Sequence, residues 1–469
     1  MPDAGTTKDE NMYDAVIDEN RIKELLQANR QPPPSEALSL LEKGRTLAGL
    51  SPEEAAVLIK VTDKGVLDEI FNTAYSIKQT IYGDRLVFFA PLYVSNYCIN
   101  DCGYCGFHIA NSAPRKKLTM DEIREQTGRI IGMGHKRVLL ETGEDERNNP
   151  IDYILNAIDA VYSVKKDGGE IRRINVNIAA TTVENYRRLK ERKIGTYQLF
   201  QETYHRPTYE GLHKGPKRDY LRQLHALENA FEAGIDDVGL GVLFGLYDWR
   251  FEVLSLITHA QYLQQRFGAG PHTISIPRFR LADTVDWRPN HPVSDDDFLK
   301  LIAILRIAVP YTGMIITTRE RPEIRKRAFH IGISQTSAAS STSPGGFGKD
   351  GKTGVEQFEI SDRRSLDETA VSIMKDGFTP SFCTACYRTG RTGRSFMDLT
   401  MPGDIHQFCR PNSILTLMEY IEDYASEEGR TLGMETITRS LGSMENPAVR
   451  KQTEERLERI KKGERDLFF

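Results

Sequence analysis

Six cysteines in 469 residues fall into two trios, and the chemistry of this chain is read from their placement. Cys98, Cys102 and Cys105 lie within the stretch YCINDCGYCGF, with Gly103 and Gly106 beside the last two. Thiolates at that three-then-two spacing, in a loop this tight, reach three corners of one iron–sulfur cube. A four-iron cube then keeps one iron without a protein ligand, and an open metal position can bind a substrate or cofactor directly. A structural zinc loop is the alternative, but zinc prefers two-residue spacing and four ligands, and no fourth Cys lies nearby. The second trio is Cys383, Cys386 and Cys409. If it holds a cube, it too leaves one iron short of a ligand. Zinc competes more strongly here, because Cys383, Cys386, His406 and Cys409 together make a C-x2-C…H-x2-C set. No cysteine is left over for a disulfide, and nothing points to an oxidising compartment.

Both trios need a scaffold that carries their loops. From Leu86 the sequence alternates short apolar runs with amphipathic stretches, the rhythm of strands and helices. Strands are expected over 86–95, 137–142, 172–179, 196–203, 237–244, 273–280, 313–318 and 331–336. Helices are expected over 119–131, 150–166, 182–192, 218–233, 250–266, 294–308, 321–329 and 365–375. Eight such units make an α/β fold of the TIM type, a (β/α)8 barrel with parallel strands and right-handed connections. Chemistry in that fold sits at the C-terminal ends of the strands, and the Cys98 loop follows the first strand. Ahead of the barrel, 21–30, 35–48 and 51 onward read as helices, with Ser51-Pro52-Glu53-Glu54 as a capping box. The chain thus divides into an N-terminal helical extension (1–82, with 1–20 read as disordered), the barrel (83–375) and a C-terminal segment bearing the second trio (376–469). In the last segment 412–428 and 446–469 read as helices. A Gly/Ser-rich stretch, 340–354, reads either as a plain connection or as a loop that closes over the barrel mouth.

A net charge of −4 with the signs mixed advertises no nucleic-acid surface. No apolar run is long enough to span a bilayer. The acidic, polar first residues fit neither a secretory signal nor an Arg-rich transit peptide, so a cytoplasmic protein without membrane partners is expected.

The first cysteine stretch, with Tyr104 before the last Cys and Phe107 two residues after it, resembles the signature of the radical S-adenosyl-L-methionine (SAM) enzymes. The resemblance implies a 4Fe–4S cluster on Cys98, Cys102 and Cys105 whose open iron chelates SAM, and a 5′-deoxyadenosyl radical released from it. It also suggests who holds SAM. Thr142, Gly143 and Glu144 stand where that superfamily often has a turn receiving the SAM amino group. Glu202 is placed for the ribose hydroxyls or the amino group, and Arg222 for the carboxylate. Gly239, Gly241 and Gly245 flank the fifth strand and either admit the adenine or mark tight barrel packing. His108 is expected to support the loop rather than act.

The stretches TISIPRFR (273–280), Thr317-Thr318-Arg319-Glu320 and QFEISDRRSL (357–366) resemble the aromatic amino acid lyase branch, above all the tyrosine lyases of thiazole synthesis and of FeFe-hydrogenase maturation. The C-terminal trio is similar to the maturase pattern, which the thiazole lyases lack. The resemblance implies cleavage of the Cα–Cβ bond of L-tyrosine to p-cresol and dehydroglycine. Carbon monoxide and cyanide would then form at an auxiliary 4Fe–4S cluster on Cys383, Cys386 and Cys409. An additional labile iron there would be held with a free L-cysteine and by His272. A low-potential electron donor and other maturation proteins, a scaffold and a GTPase, are the implied partners. The runner-up is a 2-iminoacetate (dehydroglycine) synthase that stops before the diatomic products, and a cluster-carrying scaffold ranks last. For the tyrosine carboxylate the candidate cations are Arg319, Arg278 and Arg280. The last two share one face of a strand by the period of two, directed either inward or into the helix layer. Ser337-Ala338-Ala339-Ser340 departs from the family's loop by having Ala where Gly is expected, which restricts the backbone.

Overall fold

The computed structural model describes residues 16–27, 31–282, 285–348 and 355–469. Eight parallel strands close on themselves: β1 (Arg85–Ser95), β2 (Arg137–Thr142), β3 (Arg173–Asn177), β4 (Tyr197–Gln198), β5 (Val238–Gly241), β6 (Thr273–Ser275), β7 (Gly313–Ile316) and β8 (Gln335–Ser337). Closure is made by β8 against β1, with Val87 opposite Gln335 and Phe89 opposite Ser337. The sequence RLVFFAPLYVS explains why β1 is the spine. Ten of its eleven residues are buried, as a strand covered on both faces requires. Its second half pairs with β2, while its first residues take a ninth strand, β9 (Thr379–Ser381). That pairing hangs the C-terminal segment from the N-terminal end of the barrel.

All eight expected strands are present, but several are shorter than the apolar runs suggested. β6 stops at Ser275, because Pro277 offers no N–H to the ladder and only the Phe244–Arg278 bridge continues it. The expected helix over 218–233 is two helices, Tyr220–Leu224 and Ala226–Glu232, with a break at His225. A helix at Glu427–Gly442 had no counterpart in the sequence reading, and the helix expected from 412 begins earlier, at His406. Glu19–Gln27 is helical, so the stretch read as disordered ends before residue 20, and residues 1–15 lie outside those described.

The N-terminal helices form a layer on the barrel. The capping box at Ser51 is made as the sequence specifies, and the helix Lys64–Tyr82 packs on Asp295–Ala308. Under the seventh and eighth units, buried Arg325 pairs with buried Asp362 and donates to Ser337 O at 2.7 Å, tying the 362 loop to β8. Removing either partner strands the other's charge, at a cost of about 3–5 kcal/mol. No helix among the described residues is long and apolar enough to cross a membrane.

Candidate functional site

At the C-terminal mouth the barrel opens into a cavity lined by Cys98, Cys102 and Cys105 together with Tyr104, Phe107, Thr142, Gly143, Glu144, Glu202 and Arg319. Residues on or just after all eight barrel strands line this cavity with the first thiol loop. Two glycines fit the loop into place. A Cβ on Gly143 would sit 2.4 Å from Tyr97 O and 2.9 Å from Cys98 Cβ, so the turn after β2 lies directly on the loop. A Cβ on Gly106 would sit 2.2 Å from Glu356 O, where Gly106 N–H donates to Gln357 O. Tyr104 is buried, its hydroxyl 2.8 Å from His213 Nε2. His108 is 2.8 Å from Asp101 and supports the loop from outside the cavity.

Two of the three acidic residues lining the cavity, Glu144 and Glu202, are already matched to cations, while burial raises the third, Glu141, to about 7. Glu144 accepts from Arg222 at 2.7 Å and from Asn100 at 2.6 Å, and Arg222 itself does not line the cavity. Glu202 accepts from Lys217 Nζ at 2.7 Å. Lys217 is a lining residue that sequence reasoning missed: it sits in a short turn before a helix, where a lone Lys reads as surface. Burial works against its charge, but Glu202 and the Cys102 thiol more than offset that and hold it above the usual ammonium range.

Glu202 has φ of +67, a left-handed backbone that a non-glycine residue adopts at a cost. It is held there from behind. Buried Glu252, on the helix Trp249–Phe267, accepts the Tyr204 N–H at 2.9 Å and the Thr203 hydroxyl. Burial pushes the Glu252 carboxyl up to about 8 from 4.5, outweighing those two bonds. A raised folded value means that this group's contribution to stability is full below about pH 4.5 and lost as pH rises through about 8. Metal-free protein should therefore lose thermal stability across that window, and Glu252→Gln should flatten the fall. An unchanged slope in the variant would remove Glu252 as its source.

The three candidate arginines separate. Arg319 lines the cavity, partly buried, its guanidinium 3.4 Å from the centre of the Phe358 ring and its Nε buried without a partner. Burial draws it below the usual guanidinium range. Arg278 and Arg280 do share a face, as the period of two requires, but that face points away from the cavity. Both bond Glu320, at 2.6 and 2.9 Å, and Arg278 also pairs with Asp295 at 2.8 Å. Of the two directions left open for this pair, the fold takes the outward one, where Glu320, in the turn after β7, supplies the counter-charge. Gly239 and Gly241 press against Gln198, Thr273 and the Phe200 ring, so they serve strand packing. Ala339 takes φ of +49, the conformation in which glycine was expected. Of the 340–354 stretch, Ser340 and Thr342 line the cavity, while 349–354 lie outside the described residues.

The second trio lies at the opposite, N-terminal mouth. Cys383, Cys386 and Cys409 line a chamber with Arg85, Val87, Arg137, His272 and Gln335, residues at or just before strand starts, and with Tyr387 and Phe396 from the C-terminal segment. All six thiols are free. Arg137 donates to Cys383 O at 2.8 Å, and Arg173 lies 3.4 Å from the Tyr387 ring centre. The Nε atoms of Arg85, Arg137 and Arg173 are buried without partners. Two of these cations, Arg85 and Arg137, line the chamber with the three thiols, which fits an anionic group, as a thiolate-held iron–sulfur cluster is. Burial pushes the Cys409 thiol up to about 12, so taking up a metal there must expel its proton. The zinc alternative lacks its fourth ligand, because the His406 ring does not line the chamber. Among the described residues no three His, Cys, Asp or Glu side chains close on one ion. A cube, which spreads its ligands over several irons, requires no such common point.

Residues 92–255 match the radical SAM superfamily, and 275–379 the biotin and thiamin synthesis associated domain. The chain is 30% identical over 342 residues to 2-iminoacetate synthase of Escherichia coli (strain K12), covering 72% of this chain and 89% of that one. Among solved structures it is similar to a crystal structure of HydG, described as a maturase of the FeFe-hydrogenase. Identity there is 50%, the TM-score is 0.94, and 97% of this chain and 100% of that one are covered. The HydG of Carboxydothermus hydrogenoformans, an FeFe-hydrogenase maturase, is 38% identical with a TM-score of 0.83, over 96% of this chain and 99% of its own.

Proposed function

Since this chain belongs to the HydG family of radical SAM enzymes, we propose that it cleaves the Cα–Cβ bond of L-tyrosine to p-cresol and dehydroglycine and then forms carbon monoxide and cyanide at its second thiol site. The observation that carries this reading is the placement of two cysteine trios at opposite mouths of one barrel, each in its own lined chamber. A lyase that stopped at dehydroglycine would need only the first.

The chain's own residues divide the work. Cys98, Cys102 and Cys105 would hold the first cluster, with Tyr104 and Phe107 walling it. Thr142, Gly143, Glu144, Glu202 and Lys217 would orient SAM, a zwitterion with a sulfonium, through matched acid–base partners. Arg319 would bind the tyrosine carboxylate. Cys383, Cys386 and Cys409 would hold the auxiliary cluster, with His272 and a free L-cysteine for an extra iron. When bound, the first cluster and SAM supply hydrogen-abstracting chemistry, and the second cluster supplies redox-active iron. Phe89, Leu139 and Ile315 are buried together and line the first cavity at depth. Their apolar surface would keep water from a fragment that hydrolyses readily. A low-potential donor would supply the electron, and other hydrogenase maturation proteins would take the product.

The test is anaerobic reconstitution followed by incubation with SAM, tyrosine and a reductant. Both p-cresol and carbon monoxide are expected, with about eight or nine irons and no zinc per chain. p-Cresol alone, with about four irons and one zinc, would instead place the chain with the 2-iminoacetate synthases to which it is also similar.

A further inference from the structure

Asp237 is a buried carboxylate, 2% exposed, and neither of its oxygens has a hydrogen-bond partner. Such a group is too costly to keep without a task. It immediately precedes β5, as His272 immediately precedes β6, so the two stand side by side at the N-terminal mouth. The main chain at both is pinned. Tyr197 N–H donates to Asp237 O at 3.0 Å, His272 N–H to Val238 O at 2.9 Å, and Gly313 N–H to His272 O at 2.8 Å. Only the side chains can adjust. Asp237 Oδ2 lies 3.4 Å from His272 Nδ1, close but short of a formed bond, and that Nδ1 is itself buried and unpartnered. The His272 ring meanwhile lines the thiol chamber, packed 4.1 Å from the Phe396 ring, and keeps 12% of its side chain open.

We propose that Asp237 is a positioning residue that accepts the Nδ1–H of His272 and so fixes the neutral tautomer whose Nε2 lone pair is offered to the chamber. The inference rests on the reading of His272 as a ligand of the extra iron. A neutral imidazole has one proton for two nitrogens, and the nitrogen that binds metal must be the bare one. Carboxylates commonly settle that choice from the far side of the ring. Closing the gap to a normal bond of about 2.8 Å takes a side-chain shift of about 0.6 Å. The neighbouring charges make no bond to Asp237: Arg173, over the Tyr387 ring, acts on it only through space, and Arg137 is bonded to Cys383 O and Gln335. Asp236 next door is engaged by the Thr392 hydroxyl at 3.1 Å.

The decisive variant is Asp237→Asn. It keeps the shape and removes a buried charge, so the fold should tolerate it. Its amide can donate to Nδ1, which favours the opposite tautomer. In metal-free protein carrying 15N-labelled histidine, the His272 signals are assigned by their loss in His272→Ala. They should report an Nδ1–H ring in the wild type and an Nε2–H ring in Asp237→Asn. After anaerobic loading, Asp237→Asn and Asp237→Ala should keep the iron of both clusters and bind the extra iron at least about tenfold more weakly. An Nε2–H ring in the wild type, or undiminished extra iron in both variants, overturns the assignment of Asp237. Extra iron that survives in His272→Ala overturns the reading of His272 instead, while the tautomer measurement still decides on Asp237.

Discussion

Replacing Arg319 with Met should raise the tyrosine concentration needed for half-maximal p-cresol formation by about 30- to 3,000-fold, the equivalent of about 2–5 kcal/mol for a buried charge pair that loses one member. The expectation comes from what surrounds this guanidinium. Among the described residues it makes no hydrogen bond: it lies flat on Phe358, its Nε is orphaned, and acidic neighbours such as Glu202, Glu320 and Glu141 act on it only through space. Lys217, the other cation lining this cavity, is bound to Glu202. A substrate carboxylate would complete Arg319 and Arg319 alone. Arg319→Lys should recover only part of the loss, since an ammonium cannot present a planar pair of donors. Affinity for SAM should stay within a few-fold. Arg278→Met is the control: it leaves Glu320 with Arg280 alone and should lower stability rather than selectively weaken tyrosine binding. Steady-state kinetics in p-cresol, with a thermal midpoint for each variant, settles the matter, and an unchanged tyrosine dependence in Arg319→Met would remove it from substrate binding.

The second large effect is a partition of products between the trios. Changing Cys383, Cys386 and Cys409 together to Ser should cut bound iron by roughly half and bring carbon monoxide below detection, while p-cresol persists within a few-fold. The corresponding change at Cys98, Cys102 and Cys105 should abolish both products and leave the second cluster in place. The reason is spatial: the trios line separate chambers at opposite ends of the strands. A serine hydroxyl is too weak an acid to replace a thiolate ligand. Iron analysis beside p-cresol and carbon monoxide assays reads the outcome. Equal loss of p-cresol from both triple variants, with folding intact, would sink the division of labour.

What the sequence determined by itself about this protein is whatever depends on neighbours in the chain. The spacing of Cys98, Cys102 and Cys105 belongs to a single loop, so the meeting of three thiols in one cavity was legible there. The alternation of apolar runs placed all eight barrel strands, and Ser51 capped its helix as written. Period-two spacing put Arg278 and Arg280 on one face, because that geometry is internal to an extended strand. Only the tertiary structure decided which way that face points, since the answer is a carboxylate, Glu320, from another strand's end. The same holds for Lys217 beside Cys102, for Arg222 spent on Glu144, and for Arg85 and Arg137 gathered around the second trio. Charges choose partners across distances that spacing does not encode. That the two trios face opposite mouths follows from β9 pairing with the first residues of β1, a contact across nearly three hundred residues of chain. Local periodicity specifies an element, but burial and counter-charge, which orient it, are properties of the folded whole.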